Sequence, residues 1–354
     1  MIQFCNPDIT AEMLAAANDA LVNERWTGGE SVDKFEEEFA EFIGAKHAVS
    51  VNNGTNALML TQMALGLRYK GVLTTPLSFI ATANSIVHAE NCPVFVDITD
   101  LLELNMSTVW NKQFTEGKGA VIPVSLYGHR TNLETVRKYC DDFKLKMIED
   151  NAQWHWKGSG VLGDAACYSF YSTKNMTVCG DGGMVVTDNE KLADIIRSLA
   201  NCGRGDHSSH PRIGYTARMS TVGAAIGRVQ LRHLDDWNHR RAHLAGRYHE
   251  GLDQLSGVTL AKGSDKSSWH IYNILCDNRS ALKSFLAKQD IQTMIHYPNP
   301  IHLQEAYRKM YGYSEGRFPI AEKIANRTLS LPMYPSLGED DVKVVCEAIR
   351  RFYS

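Results

Sequence analysis

Strand-like and helix-like segments alternate through the first half of this chain, and that alternation restricts the fold more than any single residue does. His47–Val51 reads as a strand, followed by the polar turn Asn52–Asn56 and the helix ALMLTQMALGL. Gly71–Thr75, Pro93–Val96, Ala120–Val124 and Lys146–Ile148 read as further strands, with helices at SFIATANSIVHAE and NLETVRKYCDDF. Strand and helix units recurring at intervals of roughly 25 residues indicate a mostly parallel sheet covered by helices. Ligands of such sheets collect at the carboxyl ends of the strands. Gly54, Phe79, Asp150 and Lys174 all lie at or soon after such ends.

Downstream, Ala165–Tyr171 and Gly183–Thr187 are strand-forming runs separated by a polar, glycine-bearing loop that carries Lys174. A solvated loop lysine is the ordinary reading. Next to buried strands, however, lost hydration disfavours the ammonium and leaves a better nucleophile toward a carbonyl. The turn at 52–56, between a strand and a helix N-terminus, presents backbone N–H groups to an anion. It is neither a P-loop nor a GxGxxG fingerprint, and a tight turn without ligand explains it equally well.

Two helices precede the first strand, at 10–22 and 31–43, the second opening on Ser31 as N-cap and closing on Gly44. Trp26 sits in the loop between them, as a packing anchor or a site residue. Residues 201–220 are polar and irregular, an extended loop, and 221–252 form one long helix that starts apolar and becomes charged. Such a helix bridges two domains, and the expected division is 1–235, a large unit, and 236–354, a smaller α/β unit with a strand at 270–276 and helices at SALKSFLAKQ and 339–352.

A net charge of −3 gives no reason to expect nucleic acid or an anionic membrane as partner. No apolar run approaches the ~20 residues of a membrane span. The first residues, MIQFCNPDITAEML, lack the basic and apolar blocks of a signal peptide, and the eight cysteines show no paired spacing. A cytoplasmic protein without a disulfide framework or metal site is the expectation. Cys179, near Lys174, reads as a small buried residue.

A nucleophilic lysine, a carboxylate at a strand end, an anion nest and an aromatic able to stack on a planar ring suit pyridoxal phosphate. That cofactor needs a lysine for its Schiff base, an acid for its ring nitrogen and a seat for its phosphate. The sequence also resembles the DegT/StrS nucleotide-sugar aminotransferases, of the fold type I of pyridoxal-phosphate enzymes, from about residue 8 to 350. The resemblance is carried by WTGGESVDKFEEEFAEFIGAKHAVSVNNGTNAL, PLSFIATANSI, PVSLYGH, IEDNAQ, GDAACYSFYSTKN, GDGGMVVTD, RMSTVGAAIGRVQL and IHYPNPIHLQEAY. It implies a three-layer fold with a smaller C-terminal domain, and transfer of an amino group, from glutamate, to a keto-sugar carried by a nucleotide. It makes Lys174 the Schiff-base lysine, pairs Asp150 with the ring nitrogen and puts Gln153 near the ring hydroxyl. It places Phe79 at the stacking position and Gly54, Thr55, Asn56 and Ser169 around the phosphate. Arg218 matches a position that reaches the phosphate of the neighbouring subunit in a homodimer, and Tyr297 and His302 fall where substrate contacts are found. Asn151 and the run Trp154-His155-Trp156 depart from the family's smaller residues, as packing beside the sheet or as a reshaped pocket. Relatives acting as sugar dehydratases carry histidine at the lysine position, so Lys174 argues against that reading. Intact Lys174, Asp150 and nest argue against a silent regulator with the same fold.

Overall fold

The computed structural model describes residues 1–354 except 207, 262 and 265. Among the described residues ten strands form two sheets: β1 (His47–Val51), β2 (Gly71–Thr74), β3 (Cys92–Phe95), β4 (Lys118–Ile122), β5 (Lys146–Asp150), β6 (Ala165–Ser169), β7 (Gly183–Thr187), β8 (Val258–Leu260), β9 (Tyr272–Cys276) and β10 (Thr328–Leu331). The large sheet runs β1-β7-β6-β5-β4-β2-β3, with only β7 antiparallel to its neighbours. The small sheet, β10-β9-β8, is antiparallel. This is the α/β, mostly parallel architecture anticipated from the alternation.

Period-two side chains send alternate residues to opposite faces of the large sheet. On one face Val49, Val51, Ile148, Cys167 and Val185 pack under the helices Gly54–Ala64 and Glu190–Ala200. On the other, Ala48, Ala166, Tyr168, Met184 and Val186 meet the helix Glu30–Ile43 and the first half of the helix Thr221–Leu252. Burial on both faces explains why these strands read as near-continuous apolar runs. The long helix continues into a second core, where Leu244, Ala245, Tyr248 and Leu252 pack with Tyr272, Ile274, Leu329 and Leu331 of the small sheet. Its residues up to Leu234 belong to the first core and those from Leu244 to the second. The chain's first residues depart from a simple division by sequence: Ile2 bridges to Ile291 and packs on the second core.

Other local expectations shift. Ser31 lies inside its helix rather than capping it; the N-cap is Gly29, and the Ser31 hydroxyl donates instead to Glu24 Oε1 at 2.5 Å. Gly44 does close that helix, at φ 83°. Strand β4 begins two residues before the expected start, and the helix Glu190–Ala200 falls in a stretch left without assignment by the alternation pattern. β8, β10 and the helices Glu305–Tyr311 and Pro319–Arg327 are short segments whose periodicity is weak in the sequence. Cys179 is exposed rather than buried. Trp26 is exposed as well, with its indole N–H donating to the Leu21 carbonyl at 3.1 Å.

The two units are sewn together near the ends of the large sheet. Ser268 N–H donates to Gly128 O at 2.8 Å, Ile271 N–H to Tyr127 O at 3.1 Å, and Trp154 Nε1–H to Lys266 O at 2.6 Å. Gly128 is required there twice over: its φ is +90°, and a Cβ would lie 2.6 Å from both His270 N and Ser268 Oγ.

The aromatic pocket behind β6 carries much of the large core. Phe39 is fully buried, edge-on to Tyr168 at 5.1 Å and to Phe170 at 5.3 Å. Phe39→Ala should cost about 3–5 kcal/mol, read as a lower urea midpoint of the apoprotein at unchanged slope. Phe39→Leu should recover more than half of that loss. A cost under about 1 kcal/mol for the alanine variant would show that this cluster is not a stabilising core.

Candidate active site

Strand β5 ends on Asp150, and the fold at that end converts a lone carboxylate into a defined site. Asp150 is almost wholly buried. Its Oδ2 accepts from Thr82 Oγ1 at 2.7 Å, and its Oδ1 from the Ala152 N–H at 3.2 Å. Burial pushes its carboxyl above the usual range, while those two donors and the Lys174 charge favour the anion. A buried carboxylate with two neutral donors still calls for a cation.

Lys174 lies on the loop between β6 and β7 and shares one cleft, of about 490 Å³, with Asp150, Gly54, Thr55, Phe79, Gln153, Ser169 and Tyr297. Burial lowers its ammonium from the ordinary lysine range to about 8, against the opposing pull of Asp150. The same loss of hydration favours the neutral, nucleophilic amine.

The anion nest is built by contact. Asn53 caps the helix Gly54–Ala64, its Oδ1 accepting from Asn56 N–H at 2.8 Å, so the N–H groups of Gly54 and Thr55 remain for a ligand. A Cβ on Gly54 would stand 2.9 Å from Ser169 Cβ, and one on Gly183 would stand 2.6 Å from the Asn53 carbonyl. The cradle exists because neither residue has a side chain. Asn56 itself turns aside: its Nδ2 donates to Asn52 Oδ1 at 2.7 Å, and Asn53 lines the cleft in its place.

Phe79 is 55% exposed, with its ring 5.8 Å from that of Tyr297 across the cleft. Gln153 is held on two sides, its Oε1 accepting from Tyr127 N–H at 2.6 Å and its Nε2 donating to Tyr297 OH at 3.0 Å. These positions fit pyridoxal phosphate: Asp150 for the ring nitrogen, the nest for the phosphate, an open aromatic face for the ring, and a free amine.

Two expected residues lie elsewhere. His302 is fully buried under the aromatic cluster of Phe318 and Tyr313, its Nε2 2.9 Å from Glu322 Oε1, and it does not line the cleft. It is a structural histidine, corrected from a substrate contact. Arg218 is exposed outside the cleft, one residue after Ala217, whose carbonyl accepts from Asn52 N–H at 2.8 Å. Among the described residues its guanidinium makes no hydrogen bond or ion pair. Trp154 and His155 are buried beside the sheet, His155 packing on Tyr168 and Phe170, Trp156 is half-buried, and none of the three lines the cleft. Asn151 is likewise buried, its Nδ2 donating to Glu149 Oε2 at 3.0 Å.

The sequence reading missed Thr82, Tyr171, His270 and His296, all lining the cleft. Thr82 lies on the helix Ala81–His88, which follows β2, and reaches Asp150 across the end of the intervening β4; no local spacing in the sequence marks that contact. His270 and His296 come from the smaller unit, and no local spacing connects them to Lys174.

Comparison with known proteins agrees with this geometry. The model of the DegT/DnrJ/EryC1/StrS aminotransferase family matches residues 7–350. The chain is 34% identical to the dTDP-3-amino-3,4,6-trideoxy-alpha-D-glucose transaminase of Streptomyces venezuelae, covering 98% of this chain and 93% of that one. It is 32% identical to the UDP-2-acetamido-2-deoxy-3-oxo-D-glucuronate aminotransferase of Pseudomonas aeruginosa, covering 91% and 90%. The crystal structure of S. venezuelae DesV in complex with a ketimine intermediate superimposes with a TM-score of 0.92 at 34% identity, covering 97% of this chain and 95% of that one. A lysine of lowered basicity, a buried acid and an anion cradle at the strand ends, carried on this fold, make the chain a member of the DegT/DnrJ/EryC1/StrS aminotransferase family, enzymes dependent on pyridoxal phosphate.

Proposed function

We propose that the protein transfers an amino group, with glutamate as donor, to a keto-sugar carried by a nucleotide, and that Lys174 and Asp150 carry the chemistry. The observation that carries this reading is the pairing of a desolvated Lys174 with a buried Asp150 in one cleft. Relatives named for dTDP-linked and UDP-linked sugars support the acceptor class. The test is a screen of glutamate-dependent amination across several nucleotide-linked keto-sugars, read by mass spectrometry. Amination of none would overturn the reading.

Pyridoxal phosphate, when bound, supplies an electron sink for the carbon bonded to the amino group. The residues do the rest. With a pKa of about 8, Lys174 keeps roughly a tenth of its amine unprotonated at neutral pH. That Nζ can bond to a carbonyl, and once displaced it can take a proton from the substrate carbon and return one elsewhere. Asp150, in its anionic form, would keep the ring nitrogen of the bound cofactor protonated. Gly54 and Thr55, with Ser169 beside them, would hold its phosphate, and Phe79, Gln153 and Tyr297 would border its ring. Tyr297 remains the substrate-side candidate.

The reading includes a cytoplasmic homodimer, with the chain dividing at the long helix into 1–235 and 236–354. Exposed apolar side chains support the pairing: Leu14, Leu21, Val22 and Trp26 on and after the first helix, and Ile213, 93% exposed, in the 201–220 loop. Arg218 starts from beside the anion nest with its guanidinium uncommitted, as an arginine serving the partner's phosphate would. In a two-fold assembly such an arginine completes each of two equal sites, with charge-assisted bonds on the order of 1.5–3 kcal/mol.

Three outcomes are expected. Acylation of Lys174 in the apoprotein, followed by peptide mass spectrometry, should rise with pH to a midpoint near 8, because the neutral amine reacts. A midpoint at the ordinary lysine value of about 10.4 would remove the desolvation argument. Asp150→Asn should retain cofactor yet lose most turnover, since an amide cannot hold the ring nitrogen protonated; unchanged turnover would make Asp150 a structural acid. Finally, inactive Lys174→Ala chains mixed with inactive Arg218→Glu chains should regain activity, because one site of each mixed dimer is intact. No recovery, with subunit exchange confirmed, would place Arg218 outside the partner's site.

A further inference from the structure

Behind Lys174 lies a chain of buried amides whose ends are fixed by main-chain carbonyls, and it leads to a histidine in the cleft wall. Asn238 Nδ2 donates to His155 O at 2.6 Å, and a carbonyl only accepts, so the Asn238 oxygen must face the other way. That oxygen accepts from Asn175 Nδ2 at 2.9 Å, and the same nitrogen donates to Ser268 O at 2.7 Å. Both hydrogens of the Asn175 amide are thereby committed, and its Oδ1 points to His270 Nδ1 at 3.2 Å. An amide oxygen cannot donate. His270 Nδ1 must carry the hydrogen, and in a neutral ring Nε2 is then a bare lone pair.

His270 lines the same cleft as Lys174, its Nδ1 is taken by Asn175, and among the described residues Nε2 has no hydrogen-bond partner. Asn175, Asn238 and Ser268 are buried, so the relay is shielded from competing water. The groups around the ring are cationic or neutral: burial, with Lys174, Arg241, His296 and His155 nearby, holds it far below the ordinary histidine value and therefore uncharged.

We propose that His270 is a positioned hydrogen-bond acceptor of the active site, its tautomer set by the Asn238–Asn175 relay, receiving at Nε2 an N–H or O–H hydrogen of the substrate held against Lys174. The hydrogen comes from the donor's ammonium or from a hydroxyl of the sugar. This rests on the aminotransferase reading above and adds to it a residue that selects substrates by what they donate.

The holoenzyme with 15N-labelled histidine tests the first part without any substrate. The His270 ring should show a protonated Nδ1 and a bare Nε2 throughout about pH 6 to 8, and the opposite tautomer or a charged ring would overturn the proposal. The second part is read in separate half-reactions by rapid mixing, with L-glutamate alone and then with a UDP- or dTDP-linked 3-keto-sugar. His270→Phe keeps a ring and removes the acceptor; it should weaken apparent binding in one half-reaction by about 2- to 12-fold. His270→Gln, which retains an acceptor oxygen, should recover part of that loss. Loss confined to glutamate assigns the hydrogen to the ammonium, and loss confined to the sugar assigns it to a hydroxyl. Equal behaviour of wild type and His270→Phe in both would overturn the role. If the phenylalanine variant does not fold, His270→Gln alone decides: weaker apparent binding confined to one half-reaction supports the role, and a glutamine variant equal to wild type in both, or equally impaired in both, rejects it. Should wild-type enzyme react with neither probe, the functional reading fails, while the tautomer result stands on its own.

Discussion

The site depends on burying an acid and an amine in one cleft without letting them neutralise each other. Desolvation acts on both groups in the direction of the uncharged form, raising Asp150 and lowering Lys174. Each then departs from its ordinary chemistry in a useful sense: the acid is poised for a cation and the amine for a carbonyl. What favours the Asp150 anion against its burial is the pair of donors, Thr82 Oγ1 and Ala152 N–H, with the Lys174 charge. Lys174 comes from a different segment, the loop between β6 and β7. The parallel sheet matters because it brings these two ends, and the nest after β1, to one edge.

The nest shows how the fold's requirements and the chemistry's coincide. Gly54 and Gly183 are small because Ser169 and the Asn53 carbonyl come too close for a Cβ. The same closeness draws the helix start up against β6 and β7, so that its free N–H groups face the Lys174 loop. Removing either glycine would move the anion seat relative to the lysine, not merely strain a turn.

Much of this was legible in the sequence. The alternation of strands and helices located β1, β7 and the long helix to the residue, because their apolar runs are long and their ends carry glycine or polar caps. Lys174, Asp150, Gly54 and Phe79 could be assembled because each lies at or soon after a strand end, and strand ends converge by topology alone; Gln153 is implied by the family resemblance. His302 was misplaced because sequence position says nothing about which way a side chain faces; Glu322, twenty residues on, draws it into the core. His270 and Thr82 are not legible locally because their importance is relational: one is defined by an amide relay spanning three segments, the other by a partner at the end of β5, two strands away from the one its helix follows. The helix Glu190–Ala200 buries Leu192, Ala193, Ile196, Leu199 and Ala200 on one face, a helical spacing that the sequence does carry.

The stitching of residues 266–271 to Tyr127, Gly128 and Trp154 bears on how such a protein diversifies. A small unit that hung from the long helix alone could be exchanged between relatives as a cassette. Here the segment entering β9 is hydrogen-bonded into the strand ends of the large sheet, and it brings His270 and Ile271 into the cleft wall. The site is therefore not a property of either half. A chimera joined within the long helix inherits a mismatched seam unless residues 127–129 and 153–154 travel with 266–271. With that frame fixed by both halves, substrate preference is open to change through side chains around the cleft more readily than through exchange of whole units.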